Sequence, residues 1–217
     1  MRSKADLLLV PSQQVARQGM QDLNARWRNS TRAWAASLIS VVALAGGALA
    51  ATHLNDNFHA IVEGEAYRSA QPTADDIRTF RDKYHIATII NLRGAGPGQA
   101  WYDEEMRAAK ELGIHHIDFP MRARTELTQE RSLALIALMK SAPKPVLIHC
   151  KQGSDRTGLA AARYLAALAK AGEEKSEAQL SIRYGHIAVP IIGSYEMDLS
   201  FEAMEALSKL KDDRAID

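Results

Sequence analysis

One stretch, VLIHCKQGSDRTG from Val146 to Gly158, contains the single cysteine of the 217-residue chain, and Arg156 follows that cysteine by six positions. A thiol becomes a strong nucleophile as the thiolate, which a neighbouring arginine and a helix N-terminus both favour. Both are expected here. The apolar run before Cys150 reads as a strand, and a helix is expected to begin near Arg156 or Thr157. The unpaired N–H groups of that helix would point back into the loop, where an anion binds well. Gly153 lets the chain between them turn successive N–H groups inward. Arg156 presents a rigid fork of donors matched to two oxygens of a phosphate. A free cysteine is more often a small buried hydrophobe, but that role requires neither Gly153 nor Arg156 at these spacings. Nucleophile and anion cradle are therefore expected within seven residues: Cys150 and Arg156 at the ends, with Lys151, Gln152, Gly153, Ser154 and Asp155 between them.

The elements that must position this loop read as an α/β domain from Asp56 onward. FHAIVEGEAYRSAQP is a hairpin around Glu63 and Gly64, closed by Pro72. Thr73 caps a helix with Asp75 and Asp76 in its first turn. IATIINL, 86–92, is a short β-branched run, the pattern of a buried strand. A helix over WYDEEMRAAKELG ends at Gly113, and IHHIDFP is a strand stopped by Pro120. A helix after Thr128 carries apolar residues at helical spacing from Leu133 to Met139. Pro143 and Pro145 then break the chain before VLIH, and GSYEMDLSFEAMEALSKLKDD reads as a closing amphipathic helix. This alternation implies an α/β fold, a central and mostly parallel sheet flanked by helices. The signature loop lies at the carboxyl edge of that sheet, where ligands of such folds bind.

Composition narrows the partners. With 27 basic and 26 acidic residues the net charge is +1, so no nucleic-acid partner is expected. One cysteine excludes an internal disulfide. The N-terminal stretch from Thr31 to Asn55 has no charged residue after Arg32, and about 20 apolar residues suffice to cross a bilayer. The expected organisation is a basic cytoplasmic segment 1–32, a transmembrane anchor 33–55, and a catalytic domain 56–217. Arg2, Lys4, Arg17, Arg26, Arg28 and Arg32 outnumber Asp6 and Asp22 before the anchor, placing the catalytic domain on the extracytoplasmic side of a bacterial-type inner membrane. The ALA at 48–50 also fits a signal cleavage site, which would release a periplasmic protein.

HCKQGSDRTG resembles the His-Cys-x5-Arg-Thr/Ser-Gly loop of cysteine-dependent protein tyrosine phosphatases. YRSAQP, NLRG and PVLIHC are similar to the compact dual-specificity branch and its bacterial members. The resemblance covers roughly 58–170. It implies the dual-specificity fold, no cofactor and no metal. It further implies attack by Cys150 on phosphorus to give a phosphocysteine, with Arg156 on the equatorial oxygens and Thr157 stabilising the departing thiolate. His149, just before the nucleophile, would orient the loop.

The resemblance also implies an aspartate near FPMRA to protonate the leaving group, but Ala123 stands there. Asp155, within the loop, is the first substitute, in a placement similar to myotubularin-type lipid phosphatases; Glu126 and Asp118 are the others. Arg122 and Arg124 flank Ala123 as an electropositive rim or a solvated pair. Arg93 ends a strand at the same sheet edge, and Trp101 and Tyr102 read as helix-start packing. The expected substrate is phosphotyrosine, with phosphoserine or phosphothreonine, in proteins. The alternatives are a phosphoinositide or other small phosphomonoester, and a membrane module that captures phosphorylated partners without turnover.

Overall fold

The computed structural model describes residues 56–190 and 193–214 together with Trp27 and Trp34, with side chains through Glu205. The chain divides into two units, Met1–Gly47 and Ala48–Asp217, and the fold below is that of the second. The anchor expected over 33–55 lies outside the described residues, apart from Trp34. Among the described residues no helix is long and apolar enough to cross a membrane.

The hairpin forms as β1 (His59–Val62) and β2 (Ala66–Ser69), paired antiparallel. Its turn depends on Gly64, whose φ of +73° favours glycine. Helix α1 (Ala74–Tyr84) starts with a reciprocal cap: Thr73 accepts from Asp76 N–H, and the Asp76 side chain accepts from Thr73 N–H. Then follow β3 (Thr88–Asn91), α2 (Ala100–Glu111), β4 (His115–Asp118), α3 (Gln129–Ser141) and β5 (Val146–His149). Helix α4 (Asp155–Arg163) continues into a wider π-type turn, Tyr164–Ala169. A short helix α5 (Glu173–Glu177), a 3-10 turn (Ile182–Tyr184) and the long α6 (Glu196–Arg214) complete the fold.

The sheet order is β1-β2-β5-β3-β4, and every pairing after the first is parallel. Strand β5 is therefore central, and its four residues are all buried. Alternation along it supplies both faces of the sheet. Val146 and Ile148 pack with Leu135 and Met139 of α3, Leu159 of α4 and Phe201 of α6. Leu147 packs on the opposite face with Ile77 and Phe80 of α1 and Ala108 and Ala109 of α2. A strand covered on both sides has no polar face, which explains its unbroken apolar sequence. The register aligns His149 with Ser69 on one side and Asn91 on the other, so the chain leaves β5 at Cys150 between the ends of two neighbouring strands.

Candidate active site

The carbonyls of residues 151–153 are held from outside the loop, and Ser154 O accepts from Gly158 N–H of α4 at 2.8 Å. Gln71 N–H donates to Lys151 O at 3.2 Å. Asn57 Nδ2 donates to Gln152 O at 3.1 Å and to Tyr184 O at 2.9 Å. Arg68 Nη2 donates to Gly153 O at 2.7 Å and to Ser154 O at 3.4 Å. His149 Nδ1 lies 3.2 Å from Cys150 O. With those oxygens occupied, the loop can turn its N–H groups inward as a nest. Gly153 N–H donates to Cys150 Sγ at 3.3 Å. Only glycine fits at 153: its φ is +75°, and a Cβ would come within 2.7 Å of Ala70 N and 2.8 Å of Ser69 O.

Arg68 is the principal brace. It is fully buried, its Nη1 donates to Gln179 O at 3.0 Å and Oε1 at 2.8 Å, and its guanidinium lies 3.9 Å from the Tyr184 ring centre. Burial lowers its pKa to about 10, against the attraction of Tyr184 and Cys150, so it stays cationic at neutral pH.

Arg156 lies in the first turn of α4. Its Nη1 lies 3.4 Å from Leu92 O and 3.3 Å from Met121 O, fixing the fork between the end of β3 and the segment after β4. Its buried Nε has no hydrogen-bond partner, and the same is true of the fully buried Thr157 Oγ1. An unpaired buried polar group costs about 1–3 kcal/mol. Two of them in one anion-shaped loop suit a site that binds an oxyanion. Lys151 and Gln152 expose their side chains, whereas Gly153 and Ser154 are buried, so the loop offers its inner pair chiefly as backbone.

Beneath the loop lies a buried polar cluster centred on Glu105 of α2. Glu105 Oε1 lies 3.0 Å from His149 Nε2 and 2.6 Å from His116 Nε2, while Oε2 accepts from Gln71 Nε2. Burial pushes the Glu105 carboxyl up, but the hydrogen bonds from His116, His149 and Gln71 outweigh it and hold the pKa at about 2. A carboxylate whose folded pKa lies below its ordinary 4.5 stabilises the protein above that pH and loses the contribution as pH falls toward 2. Glu105→Gln is therefore expected to lower the neutral-pH melting temperature by roughly 5–10 °C. It should also flatten the acid limb below pH 4.5, as thermal melts across pH would show.

The three candidate acids have different surroundings. Asp118 is committed: it accepts from Asn91 Nδ2 at 2.7 Å and from Tyr102 OH at 2.7 Å. The Tyr102 pKa is pushed up to about 12, first by that hydrogen bond and then by burial. Glu126 is exposed, as are Arg122 and Arg124. Asp155, the first residue of α4, lies with Oδ1 2.8 Å from Nδ1 of His186, whose Nε2 is 2.9 Å from Asp198 Oδ2. Burial raises the Asp155 carboxyl, yet His186, Ser194 and Ser154 hold it below its ordinary 3.8. Asp155, the first candidate acid read from the sequence, is thus tied to a buried histidine in the structure.

Arg93 lies beside Arg156, anchored by Gln71 Oε1 at 2.7 Å and stacked 3.4 Å from the Trp101 ring centre. Burial lowers its pKa, and the like charge of Arg156 adds to this, against Glu105 and Cys150. Trp101 thus supports an arginine at the site, beyond the helix-start packing expected of it.

Sequence reasoning missed Asn57, Arg68, Gln71, Glu105, Gln179, His186 and Asp198. Glu105 carried a signal: a carboxylate on the helix stripe that includes Ala108 and Ala109 three and four positions on. Arg68 and Gln71 lay within a quoted motif, without assigned roles.

The same architecture recurs in solved structures. TpbA of P. aeruginosa is 20% identical with a TM-score of 0.55, covering 69% of this chain and 85% of that one. A cysteine-to-serine form of TpbA in complex with phosphotyrosine matches at 19% identity and a TM-score of 0.54, covering 68% and 83%. The core catalytic domain of the PP-IP phosphatase Siw14 from S. cerevisiae, in complex with citrate, matches at 17% identity and a TM-score of 0.53, covering 70% and 93%. At such identities these likenesses show the fold alone. A family model described as DSP-PTPase phosphatase fused to NAD+ kinase matches residues 24–189. That match spans well over half of the sequence and includes the whole Cys150–Arg156 loop, so the chain belongs to this family of cysteine-dependent, dual-specificity-type phosphatases.

Proposed function

We propose that the chain hydrolyses phosphotyrosine, and also phosphoserine or phosphothreonine, in proteins through a phosphocysteine intermediate. The observation that carries this reading is Cys150 Sγ accepting from Gly153 N–H in a loop whose carbonyls are tied from outside, with Arg156 oriented by Leu92 O and Met121 O. In the first step Sγ bonds to phosphorus as the bond to the leaving oxygen breaks, and Arg156 with the loop N–H groups holds the three equatorial oxygens. In the second, water attacks phosphorus and the S–P bond breaks. The sulfur leaves as thiolate, with the Thr157 hydroxyl as its donor. Asp155 serves the leaving oxygen, a contribution of about 10²–10⁴ in rate for a poor leaving group. The apolar segment 33–55 and the basic residues before it support a membrane-held enzyme with its catalytic unit on the extracytoplasmic side.

A second reading, a phosphoinositide or other small phosphomonoester as substrate, is favoured by Arg93. Among the described residues no carboxylate forms a salt bridge with Arg93 or Arg156. Two adjacent guanidinium groups suit a substrate with a second anionic group. The test uses the full-length chain with a phosphotyrosine peptide, a phosphoserine peptide and a soluble inositol bisphosphate, for wild type and Arg93→Ala. The protein reading predicts kcat/KM highest on phosphotyrosine peptide and changed by less than about 5-fold in Arg93→Ala, since one rim cation is worth about 1 kcal/mol or less. Higher kcat/KM on the bisphosphate, with a selective loss in Arg93→Ala, favours the second reading. Phosphopeptide binding without turnover would replace both with a capture module.

A further inference from the structure

We infer that His186 is the proton reserve of the reaction, holding through Asp155 the proton that the leaving group receives. The inference rests on the proposed role of Asp155 and deepens it. His186 belongs to neither the signature loop nor any element read from the sequence. It follows the 3-10 turn Ile182–Tyr184, and its imidazole is buried. Nδ1 faces Asp155 Oδ1 at 2.8 Å, and Nε2 faces Asp198 Oδ2 at 2.9 Å. A carboxylate at each ring nitrogen is an arrangement that only the doubly protonated imidazolium satisfies, because both nitrogens must donate.

The geometry joins three elements: Asp155 opens α4, Asp198 lies in α6, and the segment between them carries His186. These two carboxylates are the charged groups that face the ring. Its own segment adds the backbone bond from His186 N–H to Ser181 O at 3.1 Å. Burial alone would lower the His186 pKa, but Asp155 and Asp198 hold it above the ordinary 6.5. Asp155 is held as carboxylate by the same contact. The stored proton therefore resides on the imidazole, while Asp155, next to Arg156 in the chain and with its side chain 22% exposed against a fully buried ring, is the member assigned to the leaving group.

The step balances as follows. As Sγ bonds to phosphorus, the P–O bond breaks and its electron pair stays on the leaving oxygen. Asp155 takes the Nδ1 proton and passes it to that oxygen. Asp155 ends as carboxylate and His186 as neutral imidazole. When water attacks the phosphocysteine, its proton returns through Asp155 to Nδ1, and the sulfur recovers the S–P electron pair. His186 is thus a positioning and proton-holding residue, and Asp198 keeps its ring charged and oriented.

The test measures kcat across pH for the full-length wild type, His186→Asn, Asp198→Asn, Asp155→Asn and Cys150→Ser. The substrates are an aryl phosphate with an acidic phenol leaving group and phenyl phosphate, a poorer one. His186→Asn is expected to lose about 10²-fold on phenyl phosphate and much less on the acidic-phenol ester. The wild-type alkaline limb on phenyl phosphate should disappear in His186→Asn and move to lower pH in Asp198→Asn, which still hydrogen-bonds but no longer holds the imidazolium. If His186→Asn does not fold, the Asp198→Asn limb decides. Equal losses on both esters, or an alkaline limb unmoved by either variant, would overturn the inference. Retained activity in Cys150→Ser would instead overturn the phosphocysteine reading beneath it.

Discussion

Cys150→Ser is expected to abolish turnover, with kcat falling by about 10⁴-fold or more on any phosphomonoester. The substitution exchanges one atom in a buried position, and Gly153 N–H can donate to a hydroxyl as it does to Sγ. The carbonyl ties from Gln71, Asn57 and Arg68 do not involve the side chain at 150. The nest is therefore preserved and affinity for a phosphorylated ligand should change by no more than a few-fold. What disappears is the sulfur nucleophile, because a serine hydroxyl does not ionise at neutral pH. Steady-state kinetics beside a binding titration would show the separation. Comparable losses in affinity and rate would mean that the variant damaged the loop.

Arg156→Lys is expected to lose about 10²–10³-fold in kcat while leaving the melting temperature nearly unchanged. The positive charge is kept and the planar fork is lost. The native guanidinium is oriented by Leu92 O and Met121 O, and its buried Nε has no protein partner. A lysine ammonium is a single charge on a flexible stem. It cannot span two equatorial oxygens of a flattening phosphoryl group while remaining docked on both carbonyls. Because that geometry matters most in the transition state, the loss should fall on kcat more than on KM. Alkylation of Cys150 by a small reagent should still occur, separating loss of the clamp from loss of the nucleophile.

The signature loop was legible because its chemistry is contiguous: strand, thiol, glycine, arginine and helix occupy one short run. The hairpin turn at Gly64 and the Thr73 cap were likewise local, and both form as expected. The supports were not legible. Arg68 reaches Gln179 across 111 positions, and His149 reaches Glu105 across 44, contacts that exist only once β5 lies between β2 and β3. No periodicity announces that strand order. The short α5 and the 3-10 turn carry too few residues for a helical pattern to show, yet Tyr184 stacks on Arg68 and His186 follows that turn. Asp155 shows the limit of local reading: its place in the loop was plain, but its partner lies 31 residues away.

The most direct test of the central claim is to quench the full-length enzyme in acid during turnover of an aryl phosphate and to map phosphorylation by peptide mass. The account predicts a phosphoryl group on the peptide containing Cys150, bonded to sulfur and absent from Cys150→Ser. Full turnover with no phosphoryl group on that peptide, or with one on a different residue, would contradict it.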